Sequence, residues 1–307
     1  MLGKPHADWL AGRCIIIRCH DSAFMRMKKG MEHKKIDLTI NIDTARQILT
    51  GFIRSEITRA GFSRAVVNLS GGLDSSLSCY LAAEALGAEN VLALCLPYKS
   101  STPNSGEHAK MVIEALGVQS LTIPITDMAD ALISRFPDMN RVRQGNIMAR
   151  VRMIVLYDQS QAFRGLAVGT GNKTEILLGY TTLYGDSAAA INPLGDLYKT
   201  QVRQLGKAIG IPQVILDKPP TADLWLGQTD EGELGFTYDE VDQLLYLLVD
   251  QRYRPEDCVE AGFTESFVRA VMERVRRNQF KRLMPPVAKL TNRTVGYDFL
   301  YLRDWGT

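Results

Sequence analysis

Residues 65–76 read Ala65-Val66-Val67-Asn68-Leu69-Ser70-Gly71-Gly72-Leu73-Asp74-Ser75-Ser76, an aliphatic run broken by two glycines and followed by a helix-forming pattern. The run 65–69 is predicted as a buried strand, and 75–86 as a helix that stops at Gly87. Adjacent glycines let the backbone turn tightly and expose its N–H groups. The helix that follows adds free N–H groups and the positive end of its dipole, and Ser70, Ser75 and Ser76 add hydroxyls. Together these make an anion site suited to pyrophosphate. Asp74 is out of place beside phosphates unless a cation accompanies them, which points to Mg²⁺. The competing reading is a Ser/Gly turn with Asp74 as a helix cap. The segment ends in neither the Gly-Lys-Ser/Thr of a Walker loop nor the spacing of a GxGxxG dinucleotide loop.

On the N-terminal side, Ile48, Leu49, Phe52, Ile53 and Ile57 recur at helical spacing, with Asp43 or Thr44 as the expected N-cap and Gly61 as the stop. On the C-terminal side the pattern predicts strands at 91–96, 121–125 and 166–168, and helices at 106–116 and 140–163. Aliphatic strands alternating with helices specify an α/β fold: a doubly wound, mostly parallel sheet with helices on both faces. Beyond Lys199 the chain reads as mostly helical, with a polar loop at 218–235. Residues 1–35 lack clean periodicity and are expected to form an extension outside the fold, with 36–307 as a single domain. Ligands of such sheets bind beyond the carboxyl ends of the strands. The loops after Leu69, Leu96 and Val168 are therefore where a site is expected.

Composition excludes several classes. The 307 residues carry 36 Lys plus Arg against 34 Asp plus Glu, a net +2. That balance carries no message about nucleic acid or an anionic membrane. No apolar run approaches the roughly 20 residues that cross a bilayer. Five cysteines (Cys14, Cys19, Cys79, Cys95, Cys258) show no CxxC spacing. This fits a reducing cytosol, and so a cytoplasmic protein, and argues against disulfides or structural zinc. No histidine lies beside the motif segments, so a Ser-His-Asp or Cys-His mechanism has little to work with. The chemistry is expected to run on phosphates, metal ions and positioning.

Three further blocks carry candidate chemistry. Gly169-Thr170-Gly171-Asn172-Lys173-Thr174-Glu175 follows the fourth predicted strand; Thr170 offers a hydroxyl to a nucleotide and Glu175 a hard oxygen ligand. Tyr184-Gly185-Asp186 precedes Asn192-Pro193-Leu194-Gly195-Asp196-Leu197-Tyr198-Lys199-Thr200. Lys199 opens a helix, where the dipole disfavours a cation, so it is expected to reach toward an anion. Pro219-Pro220-Thr221-Ala222-Asp223-Leu224 and Asp230-Glu231-Gly232-Glu233-Leu234-Gly235-Phe236 suit a lid over polyphosphate.

The SGGLDS stretch after a buried strand resembles the PP-loop ATP pyrophosphatases, and the later blocks, in this order over roughly residues 40–290, resemble the NAD synthetase family. The resemblance implies an ATP-dependent C–N ligase that amidates deamido-NAD with ammonia through an acyl-adenylate, releasing AMP and pyrophosphate. It places Asn68, Leu69, Ser70, Gly71, Gly72, Leu73, Asp74 and Ser75 around ATP, with Asp74 and Glu175 on Mg²⁺ and Thr170, Lys199 and Thr221 on ATP or its pyrophosphate. It places Arg150 and Lys281 on deamido-NAD. Leu183, Ala190 and Phe280 stand on the same substrate side, where many relatives carry Lys, Asp and His. Asp186 is the candidate for holding ammonium and accepting a proton. A homodimer is implied, with the 140–163 helix as the expected pairing element. Free ammonia is the expected donor, since the chain has no room for a glutaminase domain and Cys79 sits inside a predicted helix. Two other readings stay open at this point. One is a PP-loop tRNA thiolase, supported by the basic cluster Arg274, Arg276, Arg277, Lys281 and Arg282; the other is a non-catalytic ATP-binding module.

Overall fold

The computed structural model describes residues 35–225 and 227–299. The expected extension, apart from Lys35, lies outside the described residues. In chain order the structure runs α1 (Ile42–Arg59), β1 (Ala65–Asn68), α2 (Leu73–Leu86), β2 (Val91–Cys95), α3 (Pro103–Leu116), β3 (Gln119–Thr122), α4 (Thr126–Ile133), α5 (Arg141–Phe163) and β4 (Leu166–Val168). It continues with α6 (Lys173–Leu178), α7 (Lys199–Ala208), α8 (Gln213–Leu216), α9 (Asp230–Leu234), α10 (Tyr238–Leu245) with a π-helical turn to Asp250, α11 (Pro255–Glu260) and α12 (Glu265–Arg277). The four strands form one parallel sheet in the order β3-β2-β1-β4.

Alternation along the strands explains the two faces. Ala65 and Val67 of β1, Val91 and Ala93 of β2 and Val168 of β4 pack with α1, α2, α3 and α7. Val66, Leu92, Leu94 and Ala167 point the other way, into a core shared with α4 and α5. A third apolar cluster, built from Leu178, Tyr198 and residues of α10, α11 and α12, forms a C-terminal helical layer. Among the described residues no helix is long and apolar enough to cross a membrane.

The differences from expectation have local causes. Asn41, not Asp43 or Thr44, caps α1, its side chain accepting from the Thr44 N–H at 3.0 Å. The helix α2 begins at Leu73, with Gly72 as N-cap, so Asp74 is a first-turn residue rather than a cap. β1 ends at Asn68 and β2 at Cys95, one residue short in each case. α3 starts at Pro103, where proline suits a first turn. β3 lies at Gln119–Thr122 rather than 121–125, because an exposed edge strand is read by pairing and not by hydrophobicity. α4 was not anticipated. The 218–235 loop contains a helix, α9, capped by Thr229.

Candidate active site

The phosphate loop sits where β1 ends and α2 begins. Ser70 and Ser75 exchange a hydroxyl hydrogen bond of 3.0 Å, the Ser75 hydroxyl also accepts from the Ser70 N–H at 3.2 Å, and the Ser76 hydroxyl donates to the Gly72 carbonyl at 2.8 Å. Gly71 holds a φ of +73°, and a Cβ there would lie 2.1 Å from the Ser105 carbonyl oxygen of α3. Glycine is required on both counts. No side chain caps α2. Its first-turn N–H groups therefore remain available at the carboxyl edge of the sheet.

These groups border a cavity of about 1040 Å³ that reaches the ends of β1, β2 and β4. Asn68, Leu69, Ser70, Gly72, Leu73, Asp74 and Ser75 line it, whereas Gly71 packs against α3. Thr170, Glu175, Asp186, Lys199, Thr221 and Lys281 also line it. Residues spread over more than 200 positions of sequence converge here. Arg150, Leu183, Ala190 and Phe280 do not. Arg150 donates from Nε and a terminal nitrogen to the Leu183 carbonyl at 3.3 Å on the surface, and Phe280 is 59% exposed.

At one end of the cavity the charges are tightly bound. The Lys199 ammonium, 6% exposed, donates to Asp74 and, at 3.1 Å, to Glu175. Burial alone would lower the Lys199 pKa, but Asp74 and Glu175 hold it well above its ordinary value. Burial pushes the Glu175 carboxyl up to about 7 against the pull of Lys199, and Asp74 and Asp230 add to the rise. Asn172 holds both carboxylates: its side-chain NH₂ donates to Asp74 at 3.0 Å and its backbone N–H to Glu175 at 3.3 Å, while its side-chain oxygen caps Glu175 N–H at 2.9 Å. Glu175 is thus both a helix-capping residue and a site residue.

Two carboxylates converging on one cation are a hard-oxygen donor set that fits Mg²⁺, which takes one or two protein carboxylates and fills its shell with phosphate and water. No group of three or more His, Cys, Asp or Glu side chains able to hold a metal occurs among the described residues. The remaining ligands would have to come with the nucleotide.

Four more residues line the cavity: Arg152 and Lys218, for which the sequence suggested no role, and Asp223 and Asp230, which belong to the blocks expected as a lid. Arg152 donates from Nε to the Leu96 carbonyl at 3.0 Å, and burial lowers its pKa against the opposing pull of Asp223 and Asp186. Helical spacing carries the signal: Val142, Asn146, Ala149, Arg152 and Leu156 form one stripe of α5 facing the cavity, and Arg150 cannot share it. Asp230 is buried, with Oδ2 accepting from the Tyr238 hydroxyl at 3.1 Å and Oδ1 without a partner. Lys218 and Asp223, from the segment crossing the mouth, bind the Ser105 hydroxyl, each at 2.9 Å.

A side chamber of about 230 Å³ opens off the same wall, bounded by Thr170, Glu175, Thr181, Asp186, Asn192 and Lys281 among others. Asn192 Oδ1 is buried there without a partner, and the Thr181 hydroxyl lies beside Asp186. Asp186 accepts from the Thr182 N–H at 2.7 Å, and protein crowding pushes its carboxyl above the ordinary range although the side chain still reaches solvent. Lys281 donates to the Gly179 and Thr181 carbonyls, each at 2.7 Å.

Backbone amides for phosphates, carboxylates for a cation and space beyond one nucleotide, all at the edge of a parallel sheet, define an ATP-consuming α/β enzyme of the PP-loop type. The chain belongs to the NAD synthase family, a family of C–N bond-forming ligases whose model matches residues 45–285. It is 55% identical to the NH(3)-dependent NAD(+) synthetase of Trichlorobacter lovleyi, over 88% of this chain and 98% of that one. It is 48% identical to the enzyme of the same description from Fusobacterium nucleatum, over 82% and 98%. Among solved structures it resembles an NMN synthetase from Francisella tularensis (32% identity, TM-score 0.73, covering 81% of this chain and 99% of that one). It also resembles the NH3-dependent NAD synthetase of Campylobacter jejuni (30% identity, TM-score 0.70, covering 81% and 100%). A thiolase reading and a non-catalytic reading are not favoured by these relatives.

Proposed function

We propose that the chain amidates deamido-NAD with free ammonia, cleaving ATP to AMP and pyrophosphate. The observation that carries the reading is the Lys199–Asp74–Glu175 cluster beside the uncapped start of α2, at one end of a cavity large enough for two nucleotides. The nicotinate carboxylate attacks the α-phosphorus of ATP and pyrophosphate leaves. Ammonia then attacks the acyl carbon, AMP leaves, and a proton is given up by the nitrogen. Loop amides and the permanently charged Lys199 stabilise the charge that builds on the phosphates. Asn68, Leu69, Ser70, Gly72, Leu73, Ser75, Thr170 and Thr221 border the space for ATP. Asp74 and Glu175 would hold Mg²⁺, which when bound neutralises phosphate charge.

Asp186 receives the nitrogen. Its position on the side chamber suits the carboxylate to hold ammonium, and burial that raises its pKa makes it the better proton acceptor. Lys281 serves the dinucleotide from the same wall. Arg150 serves it from outside this chain's cavity: with Ile154 (60% exposed) and Tyr157 (41% exposed) it forms a stripe of α5 on which a second copy would pack. The Leu183 carbonyl accepts from Arg150, and the apolar side chains of Leu183, Ala190 and Phe280 offer no charge to a nicotinate. Cys79, buried with its thiol pushed up to about 12, offers no nucleophile for glutamine.

Purified protein with ATP, Mg²⁺, deamido-NAD and ammonium should yield NAD, AMP and pyrophosphate in equal amounts. Glutamine in place of ammonium should give none, and nicotinate mononucleotide should be a poorer substrate than the dinucleotide. Pyrophosphate release without NAD would overturn the reading. For Asp186→Asn the expected result is a rise of roughly tenfold or more in the ammonia requirement; an unchanged requirement removes Asp186 from the role.

A further inference from the structure

Asp242 and Asp250 lie outside the cavity, in the C-terminal helical layer, yet both reach the two segments that carry the cluster. Asp242, wholly buried in α10, accepts from the Thr174 hydroxyl at 2.6 Å on one oxygen and from the Thr200 N–H at 2.8 Å on the other. The Thr174 hydroxyl in turn accepts from the Lys199 N–H at 3.0 Å. Asp250, in the π-helical turn after α10, accepts from Lys173 Nζ at 2.7 Å and from the Tyr198 hydroxyl at 2.6 Å. Lys173 Nζ also lies 4.8 Å from the centre of the Tyr198 ring.

The pattern is regular. Each carboxylate grips one residue from the start of α6 and one from the start of α7. The gripped positions 173 and 174 immediately precede Glu175 on one helix, and 198 and 200 bracket Lys199 on the other. Asp242 also removes a physical objection to Lys199. A cation in the first turn of a helix opposes the dipole, but a buried carboxylate taking the Thr200 N–H supplies the missing negative charge at that end. An unpaired carboxylate at such depth would be costly, so its hydrogen bonds leave Asp242 little freedom to move.

We propose that Asp242 and Asp250 are positioning residues, a double carboxylate clamp that sets the separation of Glu175 and Lys199 for adenylyl transfer. The proposal rests on the amidation reading for its kinetic arm only.

The kinetic test uses the full chain at a temperature where circular dichroism shows every variant folded. Asp242→Asn places an NH₂ against donors and should lower kcat roughly 10- to 100-fold, the cost of a misplacement of about 1 Å, with the KM for ATP changed much less. Asp250→Asn should do the same to a smaller degree. Thr174→Ser keeps the bridging hydroxyl and should keep most of kcat. Thr174→Val should lose it, and combining Thr174→Val with Asp242→Asn should cost less than the two separate losses together. A Thr174→Ser variant as slow as Thr174→Val, or strictly additive losses, would overturn the clamp, as would an Asp242→Asn variant within about twofold of the unaltered kcat. Should Asp242→Asn fail to fold, the Thr174 pair and Asp250→Asn decide the matter.

A second readout needs no turnover. Acylation of Lys199 by an amine-directed reagent, followed by peptide mass spectrometry on ligand-free protein, should be several-fold faster in Asp242→Asn and Thr174→Val than in the unaltered chain. Equal rates in all three would refute the clamp. Failure of the unaltered chain to make NAD would count against the amidation reading and leave this readout to judge the clamp.

Discussion

The two ends of the cavity are built differently. At the phosphate end, Asp74, Asn172, Glu175 and Lys199 form a closed network in which each group has a partner. Away from it, Asp186 borders a side chamber with the unpartnered Asn192 Oδ1, and outside the cavity Arg150 rests on the Leu183 carbonyl at the surface and Phe280 faces solvent. Charge stabilisation demands groups fixed before the substrate arrives, and the first end has them within one chain. On the proposed dimer, recognition of the long dinucleotide would be shared with a second copy, so this side need not be complete within one chain.

The contrast can be broken by mutation. Glu175→Ala should cost roughly a thousandfold or more in pyrophosphate release, measured with saturating ammonium, because the preorganised end tolerates no missing charge; an active variant would make the two ends alike. Gly71→Ala should lower unfolding free energy by roughly 2 to 4 kcal/mol in urea titration, since its Cβ would strike the Ser105 carbonyl in a left-handed conformation. Arg150→Ala should raise the KM for deamido-NAD roughly tenfold and leave that for ATP unchanged. Activity of the unaltered chain should also fall on dilution if a partner completes this end; a KM rise for ATP would place Arg150 with the phosphates instead. The last expectation concerns Cys79. A pKa raised from the ordinary thiol value to about 12 keeps the neutral thiol dominant well past pH 9. Its alkylation in the native protein should therefore stay roughly a hundredfold or more slower than that of an ordinary thiol at pH 7 to 8, by mass spectrometry of the labelled peptide; a rate like that of an exposed thiol would contradict the burial.

Much of this was legible beforehand, and the reasons differ by element. Ala65 to Val67 and Val91 to Leu94 announce themselves because both sides of each strand are buried, and Gly87 and Gly117 end their helices with positive φ. β3 was misplaced because Gln119 to Thr122 is exposed and polar, held only by its pairing to β2. At the site, Lys199, Asp74 and Glu175 were readable from motif order. Arg152 was overlooked beside Arg150, although two residues apart on a helix means nearly opposite faces. Asp242 and Asp250 carry no local motif; their significance comes only from packing between layers.

The ammonium of Lys199 has one more consequence. The ligand-free enzyme holds its own counter-ion, positive charge already lodged between the carboxylates and unable to leave by losing a proton at physiological pH. A divalent ion arriving alone meets a compensated site and gains little by entering. On the proposed reading of Asp74 and Glu175 as metal ligands, a polyanion that drew the lysine toward itself would free the carboxylates, and nucleotide and metal would enter as one complex.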